Sequence, residues 1–153
     1  MNNYEKDIEI IYKNLVGKYN LKIMTINDFS MALVGWKFAI IVAVSRDGVT
    51  LKYIMPNENG ELIEYWFDSF ISSKFEDNDR KDIGDPRTNN EIILAELKIT
   101  AKGLVSHWDE ILQGDKKWIN DYQNYELGGN AEKTNILTAN ILRPIFERLI
   151  FER

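Results

Sequence analysis

The chain has 153 residues, 44% of them hydrophobic and 28% charged, enough to bury one core without disulfides or metal. It contains no cysteine, which removes disulfides, thiolate zinc sites, iron–sulfur clusters and cysteine nucleophiles together. The 24 acidic and 19 basic residues give a net charge of −5, and no run of Lys and Arg marks a phosphate-binding face; nucleic acid is disfavoured as a partner, while a basic protein is allowed.

The first seven residues lack the basic segment and apolar core of a signal peptide. No apolar run approaches the roughly 18–20 residues that span a bilayer, so the expected location is cytoplasmic, with no membrane association. Tyr4, Ile8, Ile11, Tyr12 and Leu15 recur at helical spacing, with Gly17 as the stop. Residues 21–26 alternate as a strand, Asn27-Asp28 turns, and 29–33 pairs back. Residues 36–44, WKFAIIVAV, are apolar at every position but Lys37, which predicts a central strand covered on both faces. Gly48 supplies the left-handed residue for a short hairpin. Residues 49–53 return as a strand, 56–60 turn again, and 62–67 make a further strand. The fold class is α+β: an antiparallel meander of four or five strands, with an N-terminal helix and C-terminal helices on one face, in a single domain.

After Phe67 the period changes. Asp68 caps a short helix carrying Phe70, Ile71 and Phe75. Residues 76–90, EDNDRKDIGDPRTNN, hold one strong apolar side chain, Ile83, and read as a mobile surface loop too polar to pack. Residues 91–113 form the longest helix, capped by Asn90, with Gly103 marking a close approach to the sheet. Asp115 caps another short helix carrying Trp118, Ile119 and Tyr122. A last helical pattern covers 132–151, with Pro144 inside it. The expected core is Trp36, Phe38, Ile40, Val42, Leu51, Tyr53, Leu97, Leu104 and Trp108.

Catalytic and metal-binding patterns fail on geometry. His107, the only histidine, has Ser106 and Asp109 as neighbours, but residues one or two apart on a helix point in different directions. It reads as a satisfied or solvent-facing side chain. Asp77, Asp79, Asp82 and Asp85 suggest a calcium loop, yet counting from Asp77 the fifth, sixth and twelfth positions are Lys81, Asp82 and Thr88, where that loop needs an acid or amide, glycine and glutamate. Glu61, Glu64 and Asp68 show no convergence in the string, and Gly128-Gly129 is no phosphate loop. No cofactor is expected.

Binding features are easier to find. Leu62, Glu64 and Trp66 share one face of their strand, and an exposed tryptophan beside acids is an anchor for a protein partner unless the 68–75 helix covers it. The expected partner contacts are Glu64 and Trp66, together with Glu76, Asp77, Asp79, Asp82 and Asp85 of the polar loop. At the C-terminus, Ile141 and Phe151 flank the apolar face of the last helix, and apolar surface wrapping most of a helix predicts a homodimer.

Element order, small size, acidic balance and the stretch 36–54 with its SRDGV turn resemble the immunity proteins of bacterial polymorphic and contact-dependent toxin systems. The resemblance implies a cytoplasmic, non-catalytic protein that binds a cognate toxin domain and blocks it through acidic and aromatic surface residues. A small carboxylate-using enzyme, or a structural or regulatory oligomer of phage or mobile-element origin, are the alternatives.

Overall fold

The computed structural model describes residues 3–152, with side chains described for 3–148. Helix α1, Glu5–Lys18, buries Ile8, Tyr12 and Leu15. Gly17 does not end it. Asn20 takes the left-handed conformation (φ 54°), its N–H bonding Gly17 O and the Leu21 N–H bonding Val16 O, which is the geometry of a Schellman stop. The chain then enters strands β1 (Lys22–Asn27), β2 (Ser30–Gly35), β3 (Phe38–Ser45), β4 (Gly48–Pro56) and β5 (Leu62–Trp66). With β6 (Glu132–Lys133) they form a six-stranded sheet in the order β1-β2-β3-β4-β5-β6, every pair antiparallel.

The turns follow local chemistry. Asn27 Oδ1 accepts from the Phe29 N–H, and Asn57 Oδ1 accepts from the N–H groups of Asn59 and Glu61. Gly48 has a φ of 123°, as a glycine-dependent hairpin requires. The β2–β3 hairpin corrects the expected core. Gly35 pairs with Phe38, so Trp36 and Lys37 are the two tip residues, Lys37 sits at φ 63°, and Trp36 is 43% exposed. The central strand begins two residues later than its apolar run. At Gly35 a Cβ would lie 2.3 Å from Phe38 Cε1, so any larger residue would push the Phe38 ring out of place.

β3 is buried on both faces, as its unbroken apolar run demands. Phe38, Ile40 and Val42 join the larger core, with Tyr12 of α1 and with residues of the helices that follow β5. Those are α2 (Asp68–Ser72), α3 (Asn89–His107), α4 (Asp109–Leu112) and α5 (Trp118–Asn124), which contribute Ile71, Leu97, Ile111 and Trp118 among others. Ala39 and Ile41 face the other way, into a second cluster with Ala32, Val34, Ile54 and Leu62. That face is covered by Ala139, Leu142 and Phe146 of α6 (Ile136–Glu152). The helices therefore lie on both faces rather than one, and the small Ala32 and Ala39 leave room for α6 to approach.

Three boundaries differ from the sequence periodicity. Residues 132–133 pair with β5 as a strand before α6 begins. The long helix is capped by Thr88, not Asn90: Thr88 Oγ1 accepts from the Glu91 N–H while the Glu91 side chain reaches back to Thr88 N. It also ends at His107, because Trp108 leaves helical geometry (φ −130°, ψ 37°) and donates its indole N–H to Ile71 O at 2.9 Å. Pro144 lies inside α6 without ending it. Both Pro144 and Asn140, whose carbonyl loses its helical donor, are exposed, so water can satisfy that oxygen. Ile141 is half-buried on this helix, and the side chain of Phe151 lies outside the described residues.

Gly103 does mark a close approach, but to Phe75 in the segment after α2 and not to the sheet. A Cβ there would meet Phe75 Cε1 at 2.2 Å. Alanine normally improves a helix interior by about 1 kcal/mol. Here Gly103→Ala is expected to lose about 1–3 kcal/mol through overpacking, read as a lower urea midpoint. An unchanged or raised midpoint would show that Phe75 has space to retreat.

Candidate protein-binding site

Antiparallel register sets Lys52 opposite Trp66 and Ile54 opposite Glu64. Alternation then puts Leu62, Glu64 and Trp66 on the face that α6 covers. Burial falls along β5 as the strand runs out from under that helix: Leu62 is 4% exposed, Glu64 7% and Trp66 49%. The α2 helix does not cover the tryptophan. Its Phe70 and Ile71 belong to the core on the opposite face.

A buried carboxylate needs partners, and Glu64 has two. Its Oε2 accepts the Trp66 indole N–H at 2.7 Å and lies 3.9 Å from Lys52 Nζ. The same ammonium sits 4.6 Å from the centre of the Trp66 ring, close enough for a cation–π contact. Lys52, Glu64 and Trp66 thus close a three-membered network on one sheet face. The indole is fixed by a charge-assisted hydrogen bond and an overlying cation, while about half its residue surface stays open. Periodicity brought Glu64 and Trp66 together; Lys52, from the neighbouring strand, needed the register and was missed.

Other exposed apolar side chains lie close to this edge in the sequence. Seven large hydrophobic residues are exposed among the described residues, and four of them, Trp66, Leu127, Ile136 and Leu137, lie on β5 or in the segments flanking β6.

The polar loop is a different surface. Residues 77–80 form a short 3₁₀ turn that packs on α3, in the helical layer on the other side of the sheet from Trp66. Sequence polarity wrongly predicted that nothing in it packs: Asp79 is 1% exposed. Its Oδ2 accepts from the Glu76 N–H at 2.8 Å and from His107 Nε2 at 2.7 Å. Burial works against ionisation of Asp79, but the Glu76 N–H, His107 and the Lys102 charge hold its carboxyl below the ordinary aspartate range. An ionised carboxylate only accepts, so the proton must sit on Nε2 of His107. Glu76, Asp77, Asp82 and Asp85 are exposed, and Asp85 pairs with Arg87 in a solvent-facing contact of little energetic weight. The loop carboxylates and the Trp66 cluster do not form one site.

The triad-like string also disperses. Ser106 is exposed, His107 is engaged by Asp79, and Asp109 accepts from the Tyr19 hydroxyl and the Gln113 amide. A cavity of about 230 Å³ beside the β3–β4 hairpin is lined by Asp68, Glu96 and Arg80 among apolar walls. Burial raises the Asp68 carboxyl, but Glu96 is committed to the Val49 N–H at 3.0 Å. Two free converging acids, the requirement of the carboxylate-enzyme alternative, are not found there. Among the described residues no three of His, Asp and Glu are grouped to hold a metal ion, and no helix is long and apolar enough to cross a membrane.

No known protein family, characterised protein or solved structure matches the chain. Its own surface is the guide to its role.

Proposed function

We propose that this protein is a non-catalytic binder of another protein, acting as an immunity protein that neutralises a cognate toxin domain. The observation that carries the binding role is Trp66, half exposed yet immobilised by Glu64 and Lys52. Tryptophan is the commonest kind of interface anchor, and an anchor ordered before binding loses little entropy when its partner arrives. Leu127, Ile136 and Leu137, in the segments before and after β6, are also largely exposed. The toxin reading adds the architectural resemblance and a net charge of −5, suited to a basic partner.

The test pairs this protein with the product of the gene beside its own. Expression of that product alone is expected to arrest growth, and co-expression of this protein to restore it through a complex that survives gel filtration. Trp66→Ala should weaken the complex by at least about tenfold while the protein stays folded, its melting temperature lowered only by the lost hydrogen bond to Glu64. Lack of any complex would sink the neutralising role. A complex that Trp66→Ala leaves intact would place the interface elsewhere.

A further inference from the structure

A second and wider concavity has no part in the role just proposed. It is a groove of about 1270 Å³ between the C-terminal end of α1, the tip of the β2–β3 hairpin and the segment joining α4 to α5. Four lysines line it, Lys18, Lys22, Lys37 and Lys116, against two acids, Asp109 and Asp115. They come from three separate parts of the chain, 18–22, the β2–β3 tip and the segment after α4, so no basic run announced them. In a protein of net charge −5 this is a local reversal of sign.

The two signs are treated differently. Both acids are supplied with donors from within the protein: Asp109 by the Tyr19 hydroxyl and the Gln113 amide, Asp115 by the Lys117 N–H. The ammonium groups of Lys18, Lys37 and Lys116, by contrast, have no carboxylate partner among the described residues. Lys116 is the innermost. Half-buried, with its Nζ 5.7 Å from the ring centres of both Phe38 and Tyr53, it donates only to neutral oxygens, the Tyr53 hydroxyl at 3.2 Å and Lys37 O at 3.5 Å. A cation half withdrawn from water, with Asp115 near enough to offset part of the cost but no carboxylate in direct contact, would gain from an anion entering the groove.

We propose that this groove is a binding site for an organic anion, whose carboxylate or phosphate group is held by Lys116 on the inside and Lys37 at the rim. The volume is larger than a lone phosphate needs and fits a ligand with a body beyond its charged group. Burial, and after it the Lys37 charge, lowers the Lys116 amine, against the opposing pull of the Asp115 carboxylate. A bound anion favours the charged form, so Lys116 should titrate at higher pH when the site is filled.

The experiment uses tripolyphosphate and citrate as probes, with isothermal titration at low ionic strength and side-chain NMR of the lysines. At least one probe should bind, and the Lys116 resonance should then titrate at higher pH. Lys116→Met, which keeps the apolar stem over Phe38 and Tyr53, should weaken binding by at least about tenfold, with Lys116→Arg restoring most of it. Lys37→Gln, at an exposed turn and so safe for folding, should weaken it by several-fold. Lys98→Gln, on the exposed side of α3, should leave it unchanged. Absence of binding by both probes up to about 10 mM, a very weak limit for a specific site, would overturn the proposal. So would equal losses in Lys37→Gln and Lys98→Gln, which would mean diffuse charge attraction only.

Discussion

Replacing Leu104 with alanine is expected to destabilise the protein by about 2–5 kcal/mol. Leu104 has no exposed surface, lies in the last turns of α3 beside Gly103, and belongs to the larger core with Ile93, Leu97 and Ala101 of the same helix. Its neighbours cannot close the resulting hole cheaply. Phe75 is already pressed against Gly103, and the chain after Leu104 is tied down by the Trp108 indole bond to Ile71 O. For a domain of this length the loss corresponds to roughly 4–20 °C in melting temperature. A shift no larger than that of Lys98→Gln on the exposed side of α3 would mean the helix is turned the wrong way.

His107→Ala is the other large effect, expected at about 2–4 kcal/mol. The histidine side chain is 18% exposed but that of its partner Asp79 only 2%, so the substitution strands a carboxylate that keeps only the Glu76 N–H as a direct partner, with the Lys102 charge nearby. The loss should depend on pH in one direction. Asp79 is held below its ordinary range in the folded protein, so its contribution is complete above the unfolded value and disappears as pH falls through the folded one. The stability gap between wild type and His107→Ala should therefore narrow on the acid side of the ordinary carboxylate range. Denaturant titrations at neutral pH and at pH values descending through that range would show it. A gap that stays constant would mean that the histidine acts through packing on Phe75, whose ring lies 6.3 Å away, rather than through Asp79. A double-mutant cycle with Asp79→Asn measures the coupling directly.

What could be read along the chain was whatever depends on near neighbours. The β3 run, the Gly48 turn and the Ile93–Leu97–Leu104 stripe are local patterns, and they appear where the periods put them. Trp36 was misread because a hairpin tip and a strand end look alike when the tip residue is apolar. Only Lys37, the one polar residue in the run, hinted at the turn. β6 has two residues, too few to show any period, and its pairing with Ile63 and Glu64 spans about half the chain. The sites were less legible than the fold for the same reason. Trp66 and Glu64 are two residues apart and were seen together, but Lys52 reaches them through strand pairing, Asp79 meets His107 across 28 residues, and Lys37 meets Lys116 across 79. Burying an acid such as Asp79 inside a polar segment leaves no mark on composition at all.

The order of the sheet has a consequence for synthesis. Strands β1 to β5 pair in the order in which they leave the ribosome, so each finds its partner already present. The cover for their second face arrives much later. At about 5–20 residues per second, the stretch from Trp66 to Ile136 takes roughly 3–14 s to make. Throughout that interval the apolar wall of Ala32, Val34, Ile41, Ile54 and Leu62 lacks the α6 residues that cover it in the finished protein. Nascent-chain chaperones should meet this protein at that wall, and a message cut short before codon 136 should yield aggregates rather than a smaller soluble domain.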